Sequence, residues 1–246
     1  MIDSNTVTEN RGDGIDLWAT ENNSLSGNTL SHNYGNGIGL WSCDHVTITK
    51  NSITNNNGSG LFGGCENSSV TGNTIKANNG SGMVFLNAFG NRIASNYAGG
   101  NKVNGIMLIF GSNNSIAGNI ASNNANSGIS VLFSWKNSVI ANTAHKNFEG
   151  IFLGNSSENN VVAGNAIDSN RLGIQLSGSN NNTLYENDLD RNDYSAFDDS
   201  KNQWDNGSKG NHYSDFDCHG VAKNDICDSI LIIPGGSSRD RYPLAS

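Results

Sequence analysis

Residues 150–170 read Gly-Ile-Phe-Leu-Gly-Asn-Ser-Ser-Glu-Asn-Asn-Val-Val-Ala-Gly-Asn-Ala-Ile-Asp-Ser-Asn, and this stretch decides the fold. It holds three short apolar runs, at 151–153, 161–163 and 166–167, separated by Asn, Ser and Gly corners. Runs of two to four residues that alternate inward and outward read as strands. A helix is excluded, because hardly eight residues pass without a Gly, Asn or Ser that would weaken or end it. The stretch is also one copy of a repeat. Asn5, Asn28, Asn51, Asn73, Asn96, Asn119, Asn142, Asn165 and Asn187 form one column with a spacing of 22 or 23 residues. Five residues further along, Asn10, Asn33, Asn56, Asn78, Asn101, Asn124, Asn147, Asn170 and Asn192 form a second.

A fixed period of this length defines a solenoid, and three short strands per period make it a parallel β-helix. A leucine-rich horseshoe would need a longer leucine-studded strand and a covering helical segment, and neither is visible. The expected fold is therefore all-β, a right-handed single-stranded parallel β-helix of about nine coils over residues 1–192. Residues 193–246 are expected to form an irregular C-terminal capping tail. Equivalent residues should lie about 4.8 Å apart, giving a rod of roughly 40 Å. Stacked Asn amides can hydrogen-bond up the column, and Asn tolerates the left-handed angles of a corner. Leu25, Ile48, Val70, Ile93, Ile116, Val139, Val162 and Leu184 fall on one inward column. Ile15, Ile38, Leu61, Met83, Ile106, Ile129, Ile151 and Ile174 fall on another.

Composition narrows the partners. The 246 residues carry a net charge of −8 with only 15% charged side chains. Eleven aspartates lie between Asp188 and Asp240. No basic stripe exists to neutralise phosphates, which argues against nucleic acid. No apolar run approaches the roughly 18 residues of a membrane span. No signal peptide opens the chain, which starts inside a repeat; the expectation is a piece or mature form of a secreted, extracellular or cell-surface protein. Asn-x-Ser/Thr sequons such as Asn22, Asn57 and Asn67 agree with export.

The register also places side chains that break the repeat. Cys43 and Cys65 share a column on adjacent coils, so their α-carbons should lie about 5 Å apart, within disulfide reach. Glu21, Asp44 and Glu66 share the next column, with His45 beside Asp44. Stacked acids should raise one another's pKa unless a cation, a polysaccharide or solvent compensates them. Nearby runs an outward stripe of Trp18, Trp41, Leu86, Ile109 and Leu132, flanked by Phe62, Val84, Met107 and Phe152. Exposed aromatics on a flat sheet hold sugar rings by stacking. The same stripe also reads as a self-association surface, or as a face covered by the tail or another domain. The open edge of the first coil is a second surface for self-association. Trp18, Trp41, Glu21, Asp44 and Glu66 are thus the candidate carbohydrate-binding set. Asp13, Asp16, Glu21, Asp44, Glu66 and His45 are the weak catalytic candidates. Against catalysis, the nearest basic residues, Arg11 and Lys136, lie many coils apart.

The tail carries Asn-Gln-Trp-Asp-Asn-Gly (202–207), Gly-Asn-His-Tyr-Ser-Asp-Phe (210–216), Asn-Asp-Ile-Cys-Asp (224–228) and Asp-Arg-Tyr-Pro-Leu (240–244). With the repeats, these motifs resemble the NosD-type right-handed β-helix family, in particular its archaeal cell-surface members. The resemblance covers nearly the whole chain. It implies a β-helix of the carbohydrate-binding and sugar-hydrolysis group, whose namesake assists copper-site maturation in nitrous oxide reductase. Two features depart from related tails: His212-Tyr213 stands where they carry Tyr-Trp, and Gly220-Val221-Ala222-Lys223 replaces an Asp- and Gly-rich loop. Asp215, Asp217, Asp225 and Asp228 could still supply oxygens to Ca²⁺. Cys218 and Cys227, with His212 and His219, read either as a zinc set or as a disulfide closing a short loop, the latter suiting an exported protein. Copper is a poor fit to His32, His45, His145, His212 and His219. The polygalacturonase and epimerase signatures of the β-helix enzymes are absent, both prolines, Pro234 and Pro243, lying in the tail. Three uses remain open: carbohydrate binding without catalysis, a structural module of a surface layer or filament, and a polysaccharide lyase, hydrolase or epimerase.

Overall fold

The computed structural model describes residues 1–218 and 225–245. They form a right-handed parallel β-helix, with three parallel sheets running the length of the rod. The first sheet runs from Ile2–Asp3 through Ser24–Ser26 to Thr183–Tyr185. The second runs from Thr6–Thr8 to Asp188–Asp190 and gains His212–Tyr213 at its end. The third runs from Ile15–Trp18 to Tyr194–Asp198. The three hold nine, ten and nine strands among the described residues. No helix there is long and apolar enough to cross a membrane.

Each coil follows from the pleat. The middle residue of a three-residue strand points inward, so Leu25, Ile48, Val70 and Ile93 stack in register and are buried. Ile15, Ile38, Leu61 and Met83 stack likewise in the third sheet, Ile15 half-buried and the other three buried, in agreement with the columns read from the sequence. Apolar contact closes the interior, while the polar corners are satisfied by the Asn columns. Asn51 Oδ1 accepts the backbone N–H of Asn28 at 2.9 Å and its side-chain amide at 3.0 Å. Asn51 Nδ2 donates in turn to Asn73 Oδ1 and to the Leu25 carbonyl, both at 3.0 Å. The pattern repeats up both ladders with the amides buried. Ser229 Oγ is the one buried side-chain polar atom without a partner among the described residues.

The structure adds to and corrects the corner chemistry. A third ladder runs Asn91, Asn114, Asn137, Asn160, Asn182 and Asn202. Its column begins with Asn23, Val46 and Ser68, so it is not an asparagine column in the early coils. The left-handed angles expected at the ladder asparagines lie instead on the residue before each. Lys50, Ser95, Ala141 and Glu186 have φ between 54° and 56°. Such non-glycine angles cost on the order of 1–2 kcal/mol each. The turn aims the following Asn N–H and side chain along the rod axis, where both meet the same acceptor.

The helix does not stop at residue 192. Tyr194–Asp198 adds a strand to the third sheet, and Asn202 and Asn211 extend the ladders, Asn187 Nδ2 reaching Asn211 Oδ1 at 2.8 Å. The spacing shrinks to 20 residues at Asn202 and stretches to 24 at Asn211, so a constant period misses them. Beyond them the chain seals the end. Trp204 is fully buried and donates its indole N–H to Asp198 at 2.8 Å. Asp240, also buried, accepts the Asn211 N–H at 2.7 Å, the Tyr242 N–H at 3.0 Å and the Tyr213 hydroxyl at 3.1 Å. Arg241 forks onto buried Asp205.

Two outcomes follow from this architecture. Asn119→Ala removes an acceptor for two donors of Asn96 and two donors of its own in a dry column. It should cost at least about 3 kcal/mol in urea unfolding, whereas Asn57→Ala on the exposed surface should change stability by less than about 0.5 kcal/mol. Burial first, against the opposing hydrogen bonds of Asn211, Tyr242 and Tyr213, pushes the Asp240 carboxyl up to about 6. Its folded value exceeds the unfolded one of 3.8, so folding takes up a proton in that window and the contribution of Asp240 weakens as pH rises from about 4 to 6. Glu149, raised chiefly by burial, acts in the same direction. Asp205 is subject to burial but held low overall by Arg241, and therefore acts below this range. Stability should rise on acidification from pH 7 to 5, with Asp240→Asn removing on the order of 1 kcal/mol of that gain in pH-dependent melting.

Candidate functional site

The outward face of the third sheet carries the candidate site in its first three coils. Trp18 and Trp41 are register partners, and their rings stack with centroids 5.4 Å apart and planes 26° from parallel. Trp18 is 69% exposed, while Phe62 tilts against Trp41 at 5.7 Å. The next residue in the Trp column is Gly64. Two strands here, Ile38–Asp44 and Leu61–Glu66, are longer than their counterparts in the adjoining coils, and the register shifts between Trp41 and Cys43. The residue left over by the shift, Ser42, has a left-handed φ of 53°, and on the facing strand Gly63 has φ +131°, where a Cβ would lie 1.8 Å from the Leu40 carbonyl oxygen. A Cβ on Gly64 would lie 1.9 Å from that of Leu86. Two adjacent glycines thus floor a groove of about 760 Å³, walled by Trp18, Trp41, Leu86 and Phe89 and by the acidic column.

Cys43 and Cys65 pair beneath this floor, with Cα atoms 4.6 Å apart and both side chains buried. Past the disulfide, Glu21, Asp44 and Glu66 stack one per coil as expected, and the column continues through Phe89, Ser112 and Trp135 to Glu158. The electrostatics differ from the expectation for stacked acids. Asp44 is lowered, first by the hydrogen bond from Asn67 Nδ2 and then by His45. His45 Nδ1 sits 2.8 Å from its other oxygen. These neighbours outweigh repulsion along an exposed column, where water screens it.

On the N-terminal side of the tryptophans, Asp13 and Asp16 come together over Gly39. The Asp16 carboxyl is raised first by desolvation, then by the charge of Asp13 and a hydrogen bond with it, the Trp41 indole N–H opposing. A Cβ on Gly39 would lie 2.0 Å from Asp16 Oδ1 and 2.7 Å from Asp13 Oδ2. Asp13 also accepts the backbone N–H of Asn36 at 2.6 Å. The structure therefore separates the acids into two sets flanking the aromatic pair.

The rest of the apolar stripe is in register: Leu86, Ile109 and Leu132 follow one another, with Val84 and Met107 alongside. Val84 is buried, and Ser130 interrupts the run before Phe152. The described part of the tail packs on the last coils, at the far end from Trp18. One aromatic pair escaped the sequence reading: Phe110 and Phe133 stack at 5.0 Å on left-handed backbone. Their spacing of 23 residues keeps the repeat, but the pair sits at a corner just past the strands Ile106–Ile109 and Ser127–Leu132.

In the tail, Cys218 and Cys227 are bonded to each other, with Cα atoms 5.4 Å apart, which removes the thiolates a zinc set would need. His219 and the loop at 220–223 lie outside the described residues. Asp215 receives hydrogen bonds from the Ser195 hydroxyl and N–H, while Asp225 and Asp228 are exposed. Asp217 makes an interaction of its own. No group of three His, Cys, Asp or Glu side chains that could hold a metal occurs among the described residues. Copper ligation fits poorly for a chemical reason as well. Every cysteine is oxidised, Met83 is buried in the core, and His45 and His212 are engaged with Asp44 and Asp188 at opposite ends of the rod.

Comparison with known proteins agrees with this architecture. The family model described as periplasmic copper-binding protein (NosD) matches residues 65–218, and that of the right-handed β-helix region matches residues 1–121. No curated protein matches the sequence. Among solved structures, the A-module of the Azotobacter vinelandii mannuronan C-5 epimerase AlgE6 aligns with TM-score 0.60 at 13% identity, over 74% of this chain and 63% of that one. The periplasmic alginate epimerase AlgG aligns with TM-score 0.58 at 19% identity, over 79% of this chain and 64% of its own. Tailspike protein 2 of Escherichia coli O157:H7 bacteriophage CAB120 aligns with TM-score 0.53 at 12% identity, over 96% of this chain and 39% of the tailspike. This chain thus spans somewhat less than two thirds of the epimerase chains, and at these identities the likeness is one of fold. With its family model matched over residues 65–218, the chain belongs to the NosD family of β-helix proteins.

Proposed function

We propose that this chain binds a polysaccharide in the groove over coils one to three, as an exported, non-catalytic domain. The observation that carries the reading is the stacked Trp18–Trp41 pair, Trp18 exposed and Trp41 half-buried, beside a floor of Gly63 and Gly64. Flat aromatic faces bind the C–H faces of sugars, and a groove without side chains on its floor admits a chain rather than a single ring. Glu21, Asp44 and Glu66 on one side and Asp13 and Asp16 on the other would accept hydrogen bonds from sugar hydroxyls. The two disulfides, and a family model described as periplasmic, fit an oxidising compartment. Display at the cell surface is part of the proposal. Fold neighbours named as alginate and mannuronan epimerases support the substrate class.

A catalytic reading rests on a separate observation. Asp13 and Asp16 are hydrogen-bonded carboxyls, and raising one of two close acids is how a site holds an acid and a base at one pH. A glycan array with wild type and the Trp18→Ala/Trp41→Ala variant tests the main reading. We expect binding to a subset of polysaccharides and at least tenfold weaker binding by the variant; unchanged binding would remove the groove as the site. Bound polysaccharides incubated with wild type should show neither new reducing ends nor absorbance at about 235 nm, and either signal would favour catalysis through the Asp13–Asp16 pair.

A further inference from the structure

A second concave site lies at the opposite end of the rod, on the outward side of the first sheet. Its backbone follows the sheet register: Thr183 is bridged to Gln203 and Gln203 to Arg239, so three polar side chains project in one column over the last layers. Beside them, Lys201 stacks on Asn181, whose N–H donates to the Lys201 carbonyl at 2.9 Å. Arg241 closes the depression, which holds about 650 Å³. This is within the range of roughly 300–1,000 Å³ typical of small-molecule sites.

The charge is the unexpected feature. The chain as a whole stands at −8, yet three cations line this one depression. Arg241 is held by Asp205 through Nε at 2.9 Å and through Nη2 at 2.5 Å. Lys201 and Arg239 are exposed and form no ion pair among the described residues. Asp198 and Asp240, close in sequence, are buried and turned inward to Trp204 and to Asn211 and Tyr213. The depression therefore keeps two positive charges that no carboxylate among the described residues pairs with. Apart from Asp205, which is buried and occupied by Arg241, the remaining lining is amide and hydroxyl, with little to attract an apolar ligand.

We propose that this depression is an acidic-saccharide site, in which Arg239 and Lys201 bind a sugar carboxylate and Asn181, Thr183 and Gln203 bind ring hydroxyls. A guanidinium matches a carboxylate in shape and charge, and an ammonium adds a mobile donor. Amide side chains donate and accept at once, as sugar hydroxyls require. The site lies roughly 35 Å along the axis from the tryptophan groove, about seven coils away, and on a different sheet. It stands whether or not that groove binds carbohydrate.

Isothermal titration with an oligogalacturonate hexamer, a neutral cellohexaose and inorganic phosphate tests the assignment. Wild type should bind the acidic hexamer at least tenfold more tightly than the neutral one and than phosphate, with affinity falling as salt rises. Lys201→Ala/Arg239→Ala should weaken acidic-hexamer binding at least tenfold and flatten the salt dependence. The charge-preserving Lys201→Arg/Arg239→Lys should retain binding, which separates loss of charge from loss of fold. Lys50→Ala/Lys76→Ala, which removes exposed cations elsewhere, should bind as wild type. Trp18→Ala/Trp41→Ala should leave this component intact, so failure of the groove and failure of this site are distinguishable. Unchanged binding by the Lys201/Arg239 double alanine variant, or equal affinity for the neutral hexamer, would overturn the proposal. Phosphate binding as tight as the hexamer would reduce the site to a bare anion pocket and overturn the saccharide assignment.

Discussion

The structure depends on one interaction, the asparagine amide that accepts two hydrogen bonds from the coil below and donates to the coil above. A β-helix must turn three times per coil, and every turn leaves backbone groups unpaired in a dry interior. Only a short side chain carrying both a donor and an acceptor can satisfy them and still repeat at the strand spacing of about 4.8 Å. Each corner pays for its left-handed residue through this amide, which is why Lys50, Ala141 and Glu186 can occupy positions where glycine would be at ease. The apolar columns then pack without further demands on chain direction.

A rod so regular has no site of its own, and chemistry enters where the repeat is broken. In the second and third coils the strands lengthen, the register slips by a residue, and two glycines take positions that other coils give to larger side chains. The slip turns Cys43 and Cys65 inward to pair, and leaves space above them that the two tryptophans border. Stability and site are thus coupled: the disulfide braces the segment in which sheet hydrogen bonding is disturbed. At the other end, the same logic operates through charge. The cap turns Asp198, Asp205 and Asp240 inward, each onto specific donors, and leaves Lys201 and Arg239 facing solvent beside Arg241. A strongly acidic tail therefore presents a basic surface at one point.

Much of the fold was legible because a solenoid maps sequence period onto spatial neighbours. The two nine-fold Asn columns placed Leu25 under Ile48, Trp18 under Trp41, and Glu21, Asp44 and Glu66 in one line without any structural information. Where residue type, period or position departed from those two columns, legibility failed. The third ladder begins with Asn23, Val46 and Ser68 and so did not register as an asparagine column. The coils beyond residue 192 shift to spacings of 20 and 24, and read as an irregular capping tail rather than as further coils. Corner residues such as Phe110 and Phe133 kept the period but lay outside the strand columns.

By itself the sequence determined the architecture, the register and the pairing of Cys43 with Cys65, because periodic hydrogen bonding and burial leave one way to stack these residues. Only the tertiary structure decided what the exposed side chains form together. The glycine-floored groove depends on a backbone slip that no pattern announces. The lowered Asp44 and the raised Asp16 depend on which neighbours reach them. The basic depression joins Lys201 to Arg239 and Arg241 across nearly forty residues of chain, by a fold-back of the cap that has no period to betray it.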